Sequence, residues 1–128
     1  MVFIWAGLLA AILAYIINRL GIRLTGVEGI IFFVPLVEEM AKTFSAYYLG
    51  TSILLTHLVF GLVEAVYDLV TSPKQGLTAG LVSVLGHSLF GGATSLAYFY
   101  SNNILIGLIA GLIIHVLWNG VVIKYLVR

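Results

Sequence analysis

The chain has 128 residues, of which 62% are hydrophobic and only 9% charged. Soluble domains carry about a quarter charged residues, so this composition cannot cover a water-facing surface. The net charge of +1 comes without any run of like charge, which excludes a nucleic-acid-binding arm or a charged disordered tail. The absence of cysteine excludes disulfides, thiolate zinc sites and a cysteine nucleophile.

A bilayer core takes about 20 mostly apolar residues per helix, and five stretches qualify. The first, 2–18, is apolar from its start. It has neither a basic leading region nor a small-x-small cleavage site, and reads as a retained span. The second covers 27–49, with Arg19 and Arg23 in the connection before it. The third covers 52–69 and is ended by the breakers Thr71, Ser72, Pro73, Lys74, Gln75 and Gly76. The fourth covers 77–100, the polar turn Ser101, Asn102 and Asn103 follows, and the fifth covers 104–126. Strand-like alternation is absent, and backbone groups in lipid must be satisfied within the segment. The expected fold is therefore all-α: a single domain forming a polytopic transmembrane helix bundle. Gly107 and Gly111, like Ala6, Ala10 and Ala14, are expected to serve close packing inside it.

Basic residues set orientation. With five spans, Arg19, Arg23, Lys74, Lys124 and Arg128 all fall on one side, and the other side has neither Lys nor Arg. The N-terminus is expected outside and the C-terminus in the cytoplasm. Tyr47, Tyr48, Tyr98 and Tyr100, joined by Trp5, then form a belt at the outer boundary.

The spans carry residues that lipid penalises: Glu38, Glu39 and Lys42; His57, Glu64 and Asp68; His87; and His115 with Asn119. Intramembrane ionisable residues point to function, each with a partner. Counted from the cytoplasmic span ends, Glu39, Glu64, His87, His115 and Asn119 share a band roughly 8–18 Å deep. His57 falls outside that band toward the outer side, and Asp68 toward the inner boundary. Both read as structural. Glu38 and Lys42 stand i,i+4 on one helix face, the spacing of an ion pair. Glu39 lies about 100° round the helix and points elsewhere. That division gives one structural carboxylate and one free one. Gly91 shares a stripe with His87 and would let a backbone or a substrate come close.

The order of these residues resembles a known family. Glu38-Glu39-Met40-Ala41-Lys42 is similar to the EExxK signature of the PrsW membrane proteases, and Phe60-x-x-x-Glu64 to that family's FxxxE. His87 and the stretch from His115 to Asn119 resemble its later histidine motifs. The wider CAAX-endopeptidase and bacteriocin-processing group carries EExxxR, FxxxH and HxxxN or HxxxD. Ser83 departs from the pattern, standing where the third motif often has phenylalanine. The resemblance covers the second to fifth spans. It implies a glutamate-type intramembrane endopeptidase in which Glu38 or Glu39, helped by a histidine, activates water. His115 and Asn119 would donate to the developing oxyanion. By analogy Glu39 is the base, Glu38 its partner held by Lys42, His87 a second acid/base group and Glu64 a positioning group, with Phe60 and Gly91 supporting.

No cofactor is required by that reading. An alternative has His87, His115 and Glu39 holding zinc from separate helices. Two others are a small transporter or proton relay and a catalytically silent membrane scaffold. The expected partners are the lipid bilayer and a membrane-embedded or lipidated protein or peptide substrate, with no nucleic acid. The expected location is a prokaryotic cell membrane.

Overall fold

The computed structural model describes residues 1–72 and 74–126, with side chains for all of these except 25–28, 125 and 126. Pro73, expected as a breaker, and Arg128, counted in the charge bias, lie outside the described residues. Five helices follow in order: α1 Val2–Ile31, α2 Phe33–Tyr48, α3 Ile53–Thr71, α4 Gly76–Ser101 and α5 Ile104–Leu126. Among the described residues, four segments are long and apolar enough to cross a membrane: Val2–Leu24, Ile53–Thr71, Gly76–Ser101 and Ile104–Lys124. The chain is thus an all-helical membrane-protein bundle.

The main departure from expectation lies at the first connection. Residues 19–26 do not form a loop, because α1 continues unbroken through Arg19 and Arg23 to Ile31. The chain reverses at Phe32, and α2 is a 16-residue helix rather than the expected span 27–49. The physical reason is the absence of proline from 19–31, where glycines alone do not stop a helix. Pro35 falls in the first turn of α2 instead, where its missing N–H costs no intrahelical bond. At 1.5 Å per residue α2 is about 24 Å long, short of a bilayer core of about 30 Å. The later boundaries agree closely with expectation. Ser52 caps α3 by accepting from the Leu55 N–H, and Asn102 ends α4 in the left-handed region with φ 56°.

The bundle is polar inside and apolar outside. Lys42, Glu39, His57, Thr43, Thr56 and Thr94 are fully buried, whereas Leu85, Leu96 and Leu117 are exposed. The apolar core proper is small, with Ala10, Ala14 and Phe60 at its centre. Ala6, Ala10 and Ala14 form the buried face of α1. Tyr47 meets Tyr48 and Tyr98 in edge-on ring contacts of 5.6 and 6.0 Å, grouping three of the expected boundary tyrosines.

Two glycines on α5 let α4 come close. A Cβ at Gly107 would lie 2.8 Å from the Thr94 carbonyl oxygen. One at Gly111 would collide with Thr94 Oγ1 and stand 2.9 Å from Glu39 Oε2. Overpacking of this kind costs about 1–3 kcal/mol. Gly111→Ala is therefore expected to lower the unfolding free energy in detergent by about that amount. An unchanged denaturation midpoint would contradict the close contact.

Candidate functional site

α2 supplies the acidic and basic core of the site. Its Glu39 is fully buried and surrounded by donors. The Lys42 ammonium lies 2.7 Å from Glu39 Oε1. His115 of α5 donates from Nδ1 to the same oxygen at 2.8 Å. His57 of α3 places Nε2 3.0 Å from Oε2. The other His57 nitrogen, Nδ1, donates to the Ile53 carbonyl at 2.9 Å.

Lys42 stands close to both glutamates of its helix: the expected i,i+4 pair with Glu38 Oε2 spans 4.0 Å, and an i,i+3 pair with Glu39 Oε1, not expected from the spacing, is closer at 2.7 Å. Both spacings place residues on neighbouring faces of a helix. Glu39 is the carboxylate with the most partners, Lys42, His115 and His57. Glu38 is the less encumbered one: Oε1 accepts from Asn18 Nδ2 at 3.1 Å, and Oε2 stands 3.9 Å from His115 Nε2.

His57 also departs from expectation. It is an integral part of the cluster, because Gly91 lets it in: a Cβ there would lie 2.6 Å from His57 Cβ. Gly91 thus makes room for the histidine, and the Leu54 Cα of the same helix, α3, also stands 3.4 Å from where a Cβ would be.

A second arm runs through His87 of α4. Lys42 Nζ donates to His87 Nδ1 at 2.8 Å, and His87 Nε2–H donates to Glu64 Oε2 at 2.6 Å. Aromatic rings wall the cluster. Lys42 Nζ sits 4.6 Å from the Phe60 centroid, within cation–π range. Phe90 stacks on His115 at 4.2 Å.

Two hollows meet at these residues. A cavity of about 520 Å³ between α2, α3, α4 and α5 is lined by Glu38, Glu64, His87, His115 and Asn119, and also by Asp68. A groove of about 760 Å³ between α1, α2 and α3 is lined by Asn18, Phe60, Glu38 and Glu64. Glu38 and Glu64 therefore face both. Asp68 accepts from Ser83 Oγ at 3.2 Å, so the serine anchors a cavity-wall carboxylate. Asn119 reaches the cavity, but its Nδ2 donates to the Ile30 carbonyl at 3.1 Å, tying α5 to the α1–α2 turn. One amide N–H remains for another acceptor.

The residues of the zinc alternative, His87, His115 and Glu39, already hydrogen-bond within the protein. Among the described residues no three His, Asp or Glu side chains converge at ligand spacing. Both His87 nitrogens are engaged, and the Lys42 ammonium occupies the space between His87 and Glu39.

Sequence reasoning missed Asn18 and Phe90. An asparagine near the end of an apolar stretch looks like an interfacial residue, and one phenylalanine among many apolar side chains carries no signal. His57 was visible as an ionisable residue, but it was set outside the band although a count along 52–69 gives it the depth of Glu39, about 18 Å.

No family model matches the chain, and neither a curated protein nor a solved structure matches it.

Proposed function

We propose that this chain is a glutamate-type intramembrane endopeptidase of the kind its motif order resembles, the PrsW group. It acts in a prokaryotic cell membrane on a membrane-embedded or lipidated protein or peptide. In this reading α2 makes a short fifth crossing among the four longer helices. The N-terminus is outside and the C-terminus cytoplasmic, the side where Arg19, Arg23, Lys74 and Lys124 gather.

The observation that carries the reading is the pair formed by Glu38 Oε2 and His115 Nε2, 3.9 Å apart at the cavity wall. With Nδ1–H donated to Glu39, neutral His115 presents a bare Nε2. A water donating to Glu38 Oε2 and to His115 Nε2 keeps its oxygen lone pairs free for a carbonyl carbon. As the C–O bond forms, Glu38 takes a proton from that water. The carbonyl oxygen, now anionic, accepts from the remaining Asn119 N–H. Collapse breaks the C–N bond, and the proton on Glu38 passes to the leaving amine. Glu39 and Lys42 hold His115 and His87 in place and take no part in the proton transfer.

The test is cleavage of a panel of single-span and lipidated peptides by the purified protein. Expected is cleavage by wild type, with loss in Glu38→Gln and His115→Ala. No cleavage of any peptide, or full activity in Glu38→Gln, overturns the proposal. The hydrogen-bonded chain from Glu39 through Lys42 and His87 to Glu64 favours a second reading, proton conduction. Proton flux in liposomes without peptide cleavage would select it.

A further inference from the structure

We infer that Asn18, on α1, is the positioning residue that fixes the Glu38 carboxylate for hydrolysis. The inference rests on the endopeptidase reading and extends the site to a helix that carries none of the motif residues. Two observations support it. Asn18 Nδ2 donates to Glu38 Oε1 at 3.1 Å across the α1–α2 hairpin. The same amide leaves its Oδ1 buried without a hydrogen-bond partner among the described residues.

The second observation makes the first informative. A buried acceptor with no donor is costly, and natural proteins retain few of them. An asparagine kept for packing alone would be better replaced by leucine, which has the same reach and no polar atom. An amide half-satisfied by the proposed base has a reason to stay.

The bond also decides which carboxylate oxygen works. With Oε1 held from the α1 side, Oε2 is the oxygen left toward His115 Nε2, where the reacting water belongs. Without Asn18 the carboxylate is free to rotate about its last torsion. Oε2 then leaves the line between His115 and the substrate carbonyl. Misplacement of a reacting group by about 1 Å costs about 10²-fold in rate. Among the described residues, Lys42 approaches Glu38 only at 4.0 Å and does not replace this hold.

The experiment uses the full-length protein in detergent with a peptide that wild type cleaves. Asn18→Leu removes the donor at equal reach. Asn18→Asp keeps the shape but offers an acceptor where Glu38 needs a donor. Both are expected to lower kcat about 10²-fold with KM unchanged. The acid limb of the pH–rate profile is expected to be displaced from its wild-type position. A purely structural role would reduce the active fraction, scaling the profile without moving it. Wild-type kcat and profile in both variants, with Glu38→Gln inactive, overturn the Asn18 assignment alone. Scaling without displacement overturns it as well. Failure of wild type to cleave any peptide, or full activity in Glu38→Gln, overturns the endopeptidase reading and this role together.

Discussion

Glu38→Gln is expected to lower kcat on a cleaved peptide by about 10²–10⁴-fold, the range of a lost general base, while leaving the protein folded. The amide matches the carboxylate in size and can still pair with Asn18, so packing is preserved. What it loses is a lone pair basic enough to take a proton from water. Glu39→Gln should behave differently. Glu39 accepts from Lys42 and His115 on one oxygen and faces His57 with the other. Neutralising it leaves buried cationic and imidazole groups without their counter-charge, so its first effect is on stability. Kinetics and denaturation of the two variants, measured side by side, separate the roles. A Glu39→Gln protein as stable as wild type but inactive would reverse the assignment and restore the order inferred from spacing.

Lys42→Met is expected to destabilise the protein by about 3–5 kcal/mol, the cost of leaving one partner of a buried ion pair uncompensated. Lys42 is fully buried, bridges Glu39 and His87, and lies over the Phe60 ring. Methionine fills a similar volume, so the loss is electrostatic rather than steric. The double variant Lys42→Met with Glu39→Gln tests this directly. Neutral replacement of a whole buried pair is often close to neutral in stability, so the second change should recover much of the loss. Additive losses in denaturant midpoint would show that Lys42 acts by filling space.

The outline of the bundle was legible where composition changes sharply. The ends of α3, α4 and α5 follow from polar turns that interrupt long apolar stretches. The α1–α2 boundary was not legible, because Arg19 and Arg23 look like loop residues although nothing in 19–31 breaks a helix. That Glu38, Glu39, Glu64, His87 and His115 would gather was largely readable, since each is costly in any apolar helix. Their pairing was not. Lys42 has two glutamates within reach on its own helix and stands near both, and the shorter contact goes to Glu39, which His57 and His115 approach from other helices. His57 was set apart from the band although it stands 12 residues, about 18 Å, from the inner end of the 52–69 stretch, the same depth as Glu39 counted from residue 27. Asn18 could not be found from the sequence at all, because its role exists only once α1 folds back against α2.

The polar interior has a consequence for how the protein is made. α2 is the helix least able to enter a bilayer by itself: it is short, and Glu38, Glu39 and Lys42 each carry a mid-helix insertion penalty of about 2.5–3.5 kcal/mol. Their counter-groups arrive later in synthesis, with His57 on α3, His87 on α4 and His115 on α5. Under the five-span reading, α2 cannot settle in the lipid when it leaves the ribosome. Biogenesis must then end with the last helix closing onto the second, so a chain truncated before His115 should leave α2 uninserted.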